Sequence, residues 1–211
     1  MKLIFLGPPG AGKGTLADLA VDILKIPHIS TGDLFRAAVK DGSPLGLKVK
    51  DILASGGLVP DELTIALVKE RLSQPDAKEG WILDGFPRTI PQAEALEALA
   101  PADHAVNFEV ADEVVVGRLS TRRVCRGCGK IYNTKTPGMM PKKEGVCDAC
   151  GGEIYIRDDD KESAIRTRLD NYRKQTEPLI SWFGGKGKLV TIDGVGEPKL
   201  VLERFRKALK V

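Results

Sequence analysis

Short apolar runs punctuate the chain. Leu3-Ile4-Phe5-Leu6 is uninterrupted, and Trp81-Ile82-Leu83-Asp84 is nearly so. Two further runs, Ala105 to Val110 and Lys188 to Asp193, are of similar length. A continuous apolar run of this length fits a strand covered on both faces. Between the runs, apolar residues recur at three- and four-residue spacing. They are Leu16, Leu19, Ala20 and Ile23; Ile65, Val68 and Leu72; Ala95, Leu96 and Leu99; Val115 and Leu119; and Ile165, Leu169 and Tyr172. Such spacing marks one face of a helix. Strands alternating with helices predict an α/β fold with a parallel sheet and helices on both faces. Pro178 is expected to bend the last long helix or to end its first part.

Of the 211 residues, 42% are hydrophobic and 29% charged, which excludes wholesale disorder. No apolar stretch approaches the ~20 residues of a membrane span. The four-residue run at Leu3 is shorter than a signal-peptide core, so a cytoplasmic location is expected. The net charge of +3 does not by itself argue for nucleic acid. Its distribution says more. From Arg122 to Arg157, eight Lys/Arg stand against Glu144, Asp148 and Glu153, so one segment carries the positive field. An anionic ligand is expected there.

Gly7-Pro8-Pro9-Gly10-Ala11-Gly12-Lys13-Gly14-Thr15 lies between the first strand and the first helix. That is the context of a phosphate-binding loop. Glycines let successive N–H groups turn inward as an anion nest, and the helix start adds partial positive charge. Lys13 adds a full charge near the terminal phosphates. Gly14 stands where such loops usually carry a metal-binding hydroxyl, which is displaced to Thr15.

A second anion site is expected in the middle of the chain. Ser30 or Thr31 can cap the helix that contains Leu34, Phe35, Ala37, Ala38 and Val39, with Arg36 on its first turns. Asp84 ends a strand and leads into Gly85-Phe86-Pro87-Arg88. In open parallel sheets ligands gather at the carboxyl ends of strands, so Asp84 is a candidate outer partner of a magnesium ion.

Cys125, Cys128, Cys147 and Cys150 follow the spacing C-x₂-C-x₁₈-C-x₂-C, inside the zinc window. Four thiolates fill a tetrahedral shell, which predicts a structural Zn²⁺, with iron as the usual substitute. Gly129 and Gly151 follow the pairs and are expected to turn N–H groups back on the sulfurs. Arg118 and Arg122 are four apart, hence on one face of the helix that enters this segment. Arg157 stands at its exit beside Asp158, Asp159 and Asp160, and Arg166 and Arg168 follow. These arginines either form surface ion pairs with the aspartates or clamp a phosphoryl group.

The motifs GPPGAGKGT, ISTGDLFR, LVPDEL, DGFPRT with PQA, GRL with TRR, and the two C-x₂-C pairs occur in order. Together they resemble the adenylate kinase family, in its form with a long zinc-bearing lid. The resemblance implies a P-loop NTPase-type, doubly wound five-stranded parallel sheet. It implies a core of residues 1–29, 60–120 and 159–211, a helical AMP-binding insertion at 30–59, and a zinc lid at 121–158. The implied reaction is the reversible, Mg²⁺-dependent conversion of ATP and AMP to two ADP. Gly10, Ala11, Gly12, Lys13, Gly14 and Thr15 would hold ATP phosphates. Arg122, Ile131, Tyr132 and Gly196 would contact the rest of ATP. Thr31, Arg36, Gly57, Leu58, Val59, Gly85, Phe86, Pro87, Arg88 and Gln92 would hold AMP, with Gln92 reading the adenine edge. Arg157 and Arg168 would bridge AMP and the transferring phosphate. Lys13, Arg88, Arg122, Arg157 and Arg168 would form the catalytic set. Cys150 stands where many relatives have Asp, and Gly57 offers backbone contacts alone. The resemblance favours a monomer acting on small nucleotides, without nucleic acid or membrane. Two rivals remain: a P-loop kinase for another acceptor, and a nucleic-acid-binding zinc ribbon. His28 and His104 fall outside every motif and are expected to be structural.

Overall fold

The computed structural model describes residues 1–211. In chain order its strands and helices begin with β1 (Lys2–Leu6), α1 (Lys13–Leu24), β2 (His28–Ser30), α2 (Thr31–Lys40), α3 (Pro44–Ala54) and α4 (Asp61–Leu72). Then come β3 (Trp81–Asp84), α5 (Ile90–Leu99), β4 (His104–Glu109) and α6 (Asp112–Thr121). Next are three short strands, β5 (Arg122–Cys125), β6 (Ile131–Asn133) and β7 (Ile154–Tyr155). The chain ends with α7 (Glu162–Asn171), α8 (Pro178–Gly185), β8 (Leu189–Asp193) and α9 (Pro198–Leu209). No helix is long and apolar enough to cross a membrane.

The main sheet has five parallel strands in the order β2-β3-β1-β4-β8. Its continuous apolar runs follow from burial on both faces. Leu3 and Phe5 point to one side, where Leu16, Ala17 and Ala20 of α1 and Val201 and Phe205 of α9 cover them. Ile4 and Leu6 point to the other, against Trp81, Leu96, Leu179 and Phe183. The fifth strand, β2, has only three residues and no apolar run, so hydrophobic periodicity could not find it. The buried stripe of α1 is also rotated from the expected one. Ala17 and Ala20 are fully buried and Ile23 is exposed, because small side chains let the helix lie close to the sheet.

Two insertions leave this sheet. In α2, α3 and the loop that follows them, Phe35, Val49 and Val59 form a small separate core. After α6, β5 pairs antiparallel with β6 and β7 in a sheet of its own. Val115, Leu119, Ile165 and Leu169 pack α6 on α7 at the root of that second insertion. Pro178 occupies the first turn of α8, where its missing N–H costs nothing. The chain reaches it from α7 through a wide π-type turn, Tyr172–Thr176.

Phe205 anchors α9. It is fully buried, with its ring edge-on to Phe5 at 5.8 Å between centroids. Phe205→Ala is expected to cost about 3–5 kcal/mol, read as a lower urea midpoint at unchanged slope.

Candidate active site

β1 stands where the strand order reverses, between β3 and β4. In such sheets the crevice lies beyond the carboxyl ends of the strands at this point. The loop from Gly7 to Gly12 occupies it. Gly10 (φ 85°) and Gly12 (φ 99°) adopt the left-handed backbone that glycine tolerates, and Gly12 caps α1. The register sets Phe5 of β1 opposite Asp84 of β3. Asp84 Oδ2 lies 3.5 Å from where a Cβ on Gly14 would be, an ordinary contact that sets the carboxylate beside the loop.

A cavity of about 820 Å³ opens over this loop. It is lined by Gly10 to Thr15, Arg36, Gly57, Leu58, Gly85, Pro87, Arg88, Arg122, Ile131, Tyr132, Arg157, Arg168 and Gly196. A smaller side cavity is lined by Thr31, Phe35, Gly57, Leu58, Val59, Gly85, Arg88 and Gln92, among others. Every nucleotide-site residue expected from the sequence borders one or the other except Phe86. Its ring is buried in the core with Ile29 and Leu83, so its side chain has no route to a ligand.

Lys13 Nζ donates to the carbonyls of Gly7 and Pro8, at 2.8 and 2.9 Å. Burial pulls its pKa down to about 8, with Asp84 opposing and Arg88, Arg168 and Arg122 adding to the fall. Burial would raise Asp84, but His28, Lys13 and Arg88 outweigh it and hold the carboxyl below the usual range. Arg36 is paired with Asp33, and Arg88 Nε donates to Gly85 O at 2.8 Å. Thr31 Oγ1 also donates to Gly85 O, so the helix cap is Ser30, which accepts from Asp33 N. Gly85 (φ 78°) has no room for a Cβ between Thr31 and Arg88. The peptide before Pro87 is cis.

Arg122, Arg157 and Arg168 form buried pairs, whereas Arg166 pairs with Glu162 on the surface. Arg122 binds Asp160 through Nε and Nη2, and Arg157 binds Asp159 in the same two-pronged way. Arg168 Nη1 reaches Asp159 O at 2.8 Å and Asp160 Oδ1 at 3.1 Å. Asp160 is 5% exposed and Arg157 8%. Burial would raise Asp159, yet Arg168, Arg157 and Arg122 hold it far below the ordinary carboxylate range. Arg122 is not on the helical face of Arg118. It has extended backbone at the end of α6 and begins β5. Arg118 turns the other way, donating to Ala11 O and Gly194 O, and so ties the phosphate loop to the turn after β8.

The four cysteine sulfurs lie within 4.8 Å of one another. Cys125 and Cys150 are 3.4 Å apart, and Cys128 and Cys147 3.6 Å. Tetrahedral Zn²⁺ with ~2.3 Å bonds needs sulfur separations of about 3.8 Å, so the donor set fits the ion. Gly127 N–H reaches Cys125 Sγ at 3.3 Å. Gly129 and Gly151 instead donate to the carbonyls of Cys125 and Cys147, closing each turn on the backbone. Tyr132 borders both the cavity and the cysteine cluster. It is 2% exposed, and its hydroxyl sits 3.3 Å from Cys147 Sγ while accepting from Asp148 N at 2.7 Å.

His28 is the functional neighbour that sequence reasoning set aside. It lines the large cavity, with Nδ1 3.2 Å from Asp18 Oδ1 and Nε2 3.7 Å from Asp84 Oδ2. Burial would lower its pKa, but the Asp18 hydrogen bond and Asp84 outweigh burial and raise it to about 9. No motif marked it, because β2 was itself illegible.

Loop, switch point and cation ring define a P-loop phosphotransferase. Residues 5–188 match the family model for adenylate kinase. The chain is 55% identical over 206 residues to the adenylate kinase of Treponema denticola, covering 98% of each. It is 56% identical over 199 residues to that of Fervidobacterium nodosum, covering 92% of this chain and 90% of the relative. With that of Methanosarcina mazei it shares 50% over 214 residues, 99% and 98% of the two chains. The chain belongs to the adenylate kinase family.

Cys128→Ser is expected to lower Tm far more than it lowers turnover at moderate temperature, since closed S₄ sites are structural. Equal collapse of both would argue for a metal with a direct part in catalysis. A pH series probes His28. Its folded pKa of about 9 lies above the unfolded 6.5. The stabilisation is therefore complete below pH 6.5 and fades as pH rises to 9. It amounts to roughly 3 kcal/mol at most. Urea unfolding should show wild type losing its advantage over His28→Gln across that window.

Proposed function

We propose that the chain catalyses the reversible transfer of the terminal phosphoryl group of Mg·ATP to AMP, giving two ADP. One observation carries this reading. Lys13, Arg36, Arg88, Arg122, Arg157 and Arg168 come from six separate elements or loops and border one cavity. Phosphoryl transfer passes through a loose transition state whose charge is spread over equatorial oxygens, so positioned cations are the catalyst it needs. The attacking atom is an oxygen of the AMP phosphate, already anionic, and no general base is required.

Gly10, Ala11, Gly12, Lys13, Gly14 and Thr15 are assigned to the ATP phosphates. Arg122, Ile131, the main chain of Tyr132, and Gly196 are assigned to the rest of ATP. Thr31, Arg36, Gly57, Leu58, Val59, Gly85, Pro87, Arg88 and Gln92 hold AMP, with the backbone of Phe86 between them. Arg157 and Arg168 span the gap between the two phosphate chains. Thr15 and Asp84 would help to hold magnesium, which would neutralise charge on the phosphates. Cys125, Cys128, Cys147 and Cys150 hold zinc. Lys13 exchanges the Gly7 and Pro8 carbonyls for phosphate oxygens when ATP enters. The arginines keep their aspartates, which fix their direction.

The separate small core near Phe35 and the separate three-stranded sheet support an AMP-binding unit at 30–59 and a lid at 121–158. The remaining segments, 1–29, 60–120 and 159–211, form the core. Closure of the two units over the cavity would exclude water, the competing acceptor. All six cations belong to one chain, which supports a monomer. Four thiols gathered as one donor set suit the reducing cytoplasm.

The test is ADP formation from ATP and AMP. Wild type should require Mg²⁺, and Lys13→Met should lose about 10³-fold in kcat. Turnover by Lys13→Met within tenfold of wild type would reject the assignment of the loop.

A further inference from the structure

We infer that Asp61 sets which purine edge the acceptor pocket accepts, by locking the Gln92 amide in one orientation. The inference rests on the acceptor reading above and extends it. Gln92 is 2% exposed and borders the small cavity, whose other side chains are Phe35, Leu53, Leu58 and Val59 with Thr31, Thr64 and Arg88, the last assigned above to phosphate. Its Oε1 accepts from Arg88 N at 2.8 Å, and its Nε2 donates to Asp61 Oδ1 at 2.7 Å. Asp61 Oδ2 accepts from Thr89 Oγ1 at 3.1 Å, and Thr89 Oγ1 accepts from Gln92 N at 3.3 Å, which closes the ring. A main-chain N–H can only donate and a carboxylate can only accept. A flipped amide would therefore meet a donor with its N–H₂ and an acceptor with its oxygen. Each error costs about as much as a lost charge-assisted bond.

The consequence is chemical. A primary amide has two N–H donors and two acceptor lone pairs. The fold uses one of each, which leaves one spare acceptor beside one spare donor in fixed order. A 6-aminopurine offers the matching edge, an amino N–H next to the bare N1. A 6-oxopurine offers the reverse, a carbonyl oxygen next to N1–H, at almost the same size. The other hydroxyls of this cavity are committed: Thr31 to Gly85 O, and Thr64 to Val59 O and Pro60 O. Discrimination between the two purines therefore falls to Gln92, and its orientation to Asp61. Asp61 touches no substrate and is a positioning residue.

The experiment compares kcat/KM for AMP and for IMP, with nucleoside diphosphates separated by chromatography. Wild type, Asp61→Ala, Asp61→Asn and Gln92→Leu are measured together. Asp61→Ala is expected to lower the AMP/IMP ratio by roughly 10- to 100-fold, mainly through KM for AMP. Asp61→Asn can still turn a carbonyl oxygen to Gln92 and keep the Thr89 bond, so it should fold normally and recover part of the ratio. If Asp61→Ala raises both KM values equally while Gln92→Leu collapses the ratio, Asp61 merely supports the start of α4 and the inference fails alone. If Gln92→Leu retains the wild-type ratio, the acceptor reading of this pocket fails with it.

Discussion

Repulsion among cations crowded round one cavity is the constraint on which the rest of the structure depends. Two like charges 4 Å apart repel by about 4 kcal/mol even at an effective dielectric of 20. The chain answers with carboxylates paired to the guanidiniums around the cavity. Asp159 and Asp160 together hold Arg122, Arg157 and Arg168, and Asp33 holds Arg36. Asp84 opposes the depression of Lys13 and Arg88. Where compensation is incomplete the pKa records it: burial, with Arg122 and Arg157 nearby, presses Arg168 down in spite of both aspartates. A site so charged is unfavourable when empty and favourable once phosphates arrive. That difference is what allows binding energy to drive assembly of the site.

The scaffold that holds these charges is set by backbone geometry more than by side chains. A parallel sheet with β1 at its reversal point leaves one crevice, and the glycines of the following loop admit a helix start into it. Position 14 carries no hydroxyl, whereas the next residue, Thr15, does, and Asp84 stands beside the loop at the end of the neighbouring strand.

Features written in local patterns were legible in the sequence, and features made by distant contacts were not. The loop around Lys13, the four cysteines and the apolar strands β1, β3, β4 and β8 each depend on neighbouring residues, and periodicity or spacing found them. β2 is three residues long and earns its place only by pairing with β3, so it entered through family resemblance alone. The partners of Arg122 and Arg168 lie across a turn or a helix, and spacing left surface pairs and a phosphoryl clamp both open, without showing that the pairs are buried. His28 lacked any local signal, and the spacing of Arg118 from Arg122 did not show where its side chain turns. Their roles come from Asp18 and Asp84 in one case, and from Ala11 and Gly194 in the other. Tyr132, assigned from the family to the nucleotide, borders the cavity, and its hydroxyl turns to the cysteine cluster because side chains alternate along a strand.

That alternation joins the cysteine cluster to the phosphate loop. Tyr132 contacts Cys147, and the next residue, Asn133, is buried with its amide donating to Arg118 O. Arg118 in turn donates to Ala11 O of the phosphate loop. Thr121, at the end of α6, donates to Asn133 Oδ1. The contacts between sulfur and phosphate loop therefore run through one strand and one helix end, each short and hydrogen-bonded on both sides. A small three-stranded sheet has too little apolar area to hold such a path straight by itself. A metal held by the four cysteines would cross-link its two turns and supply that stiffness at a distance from the phosphate loop.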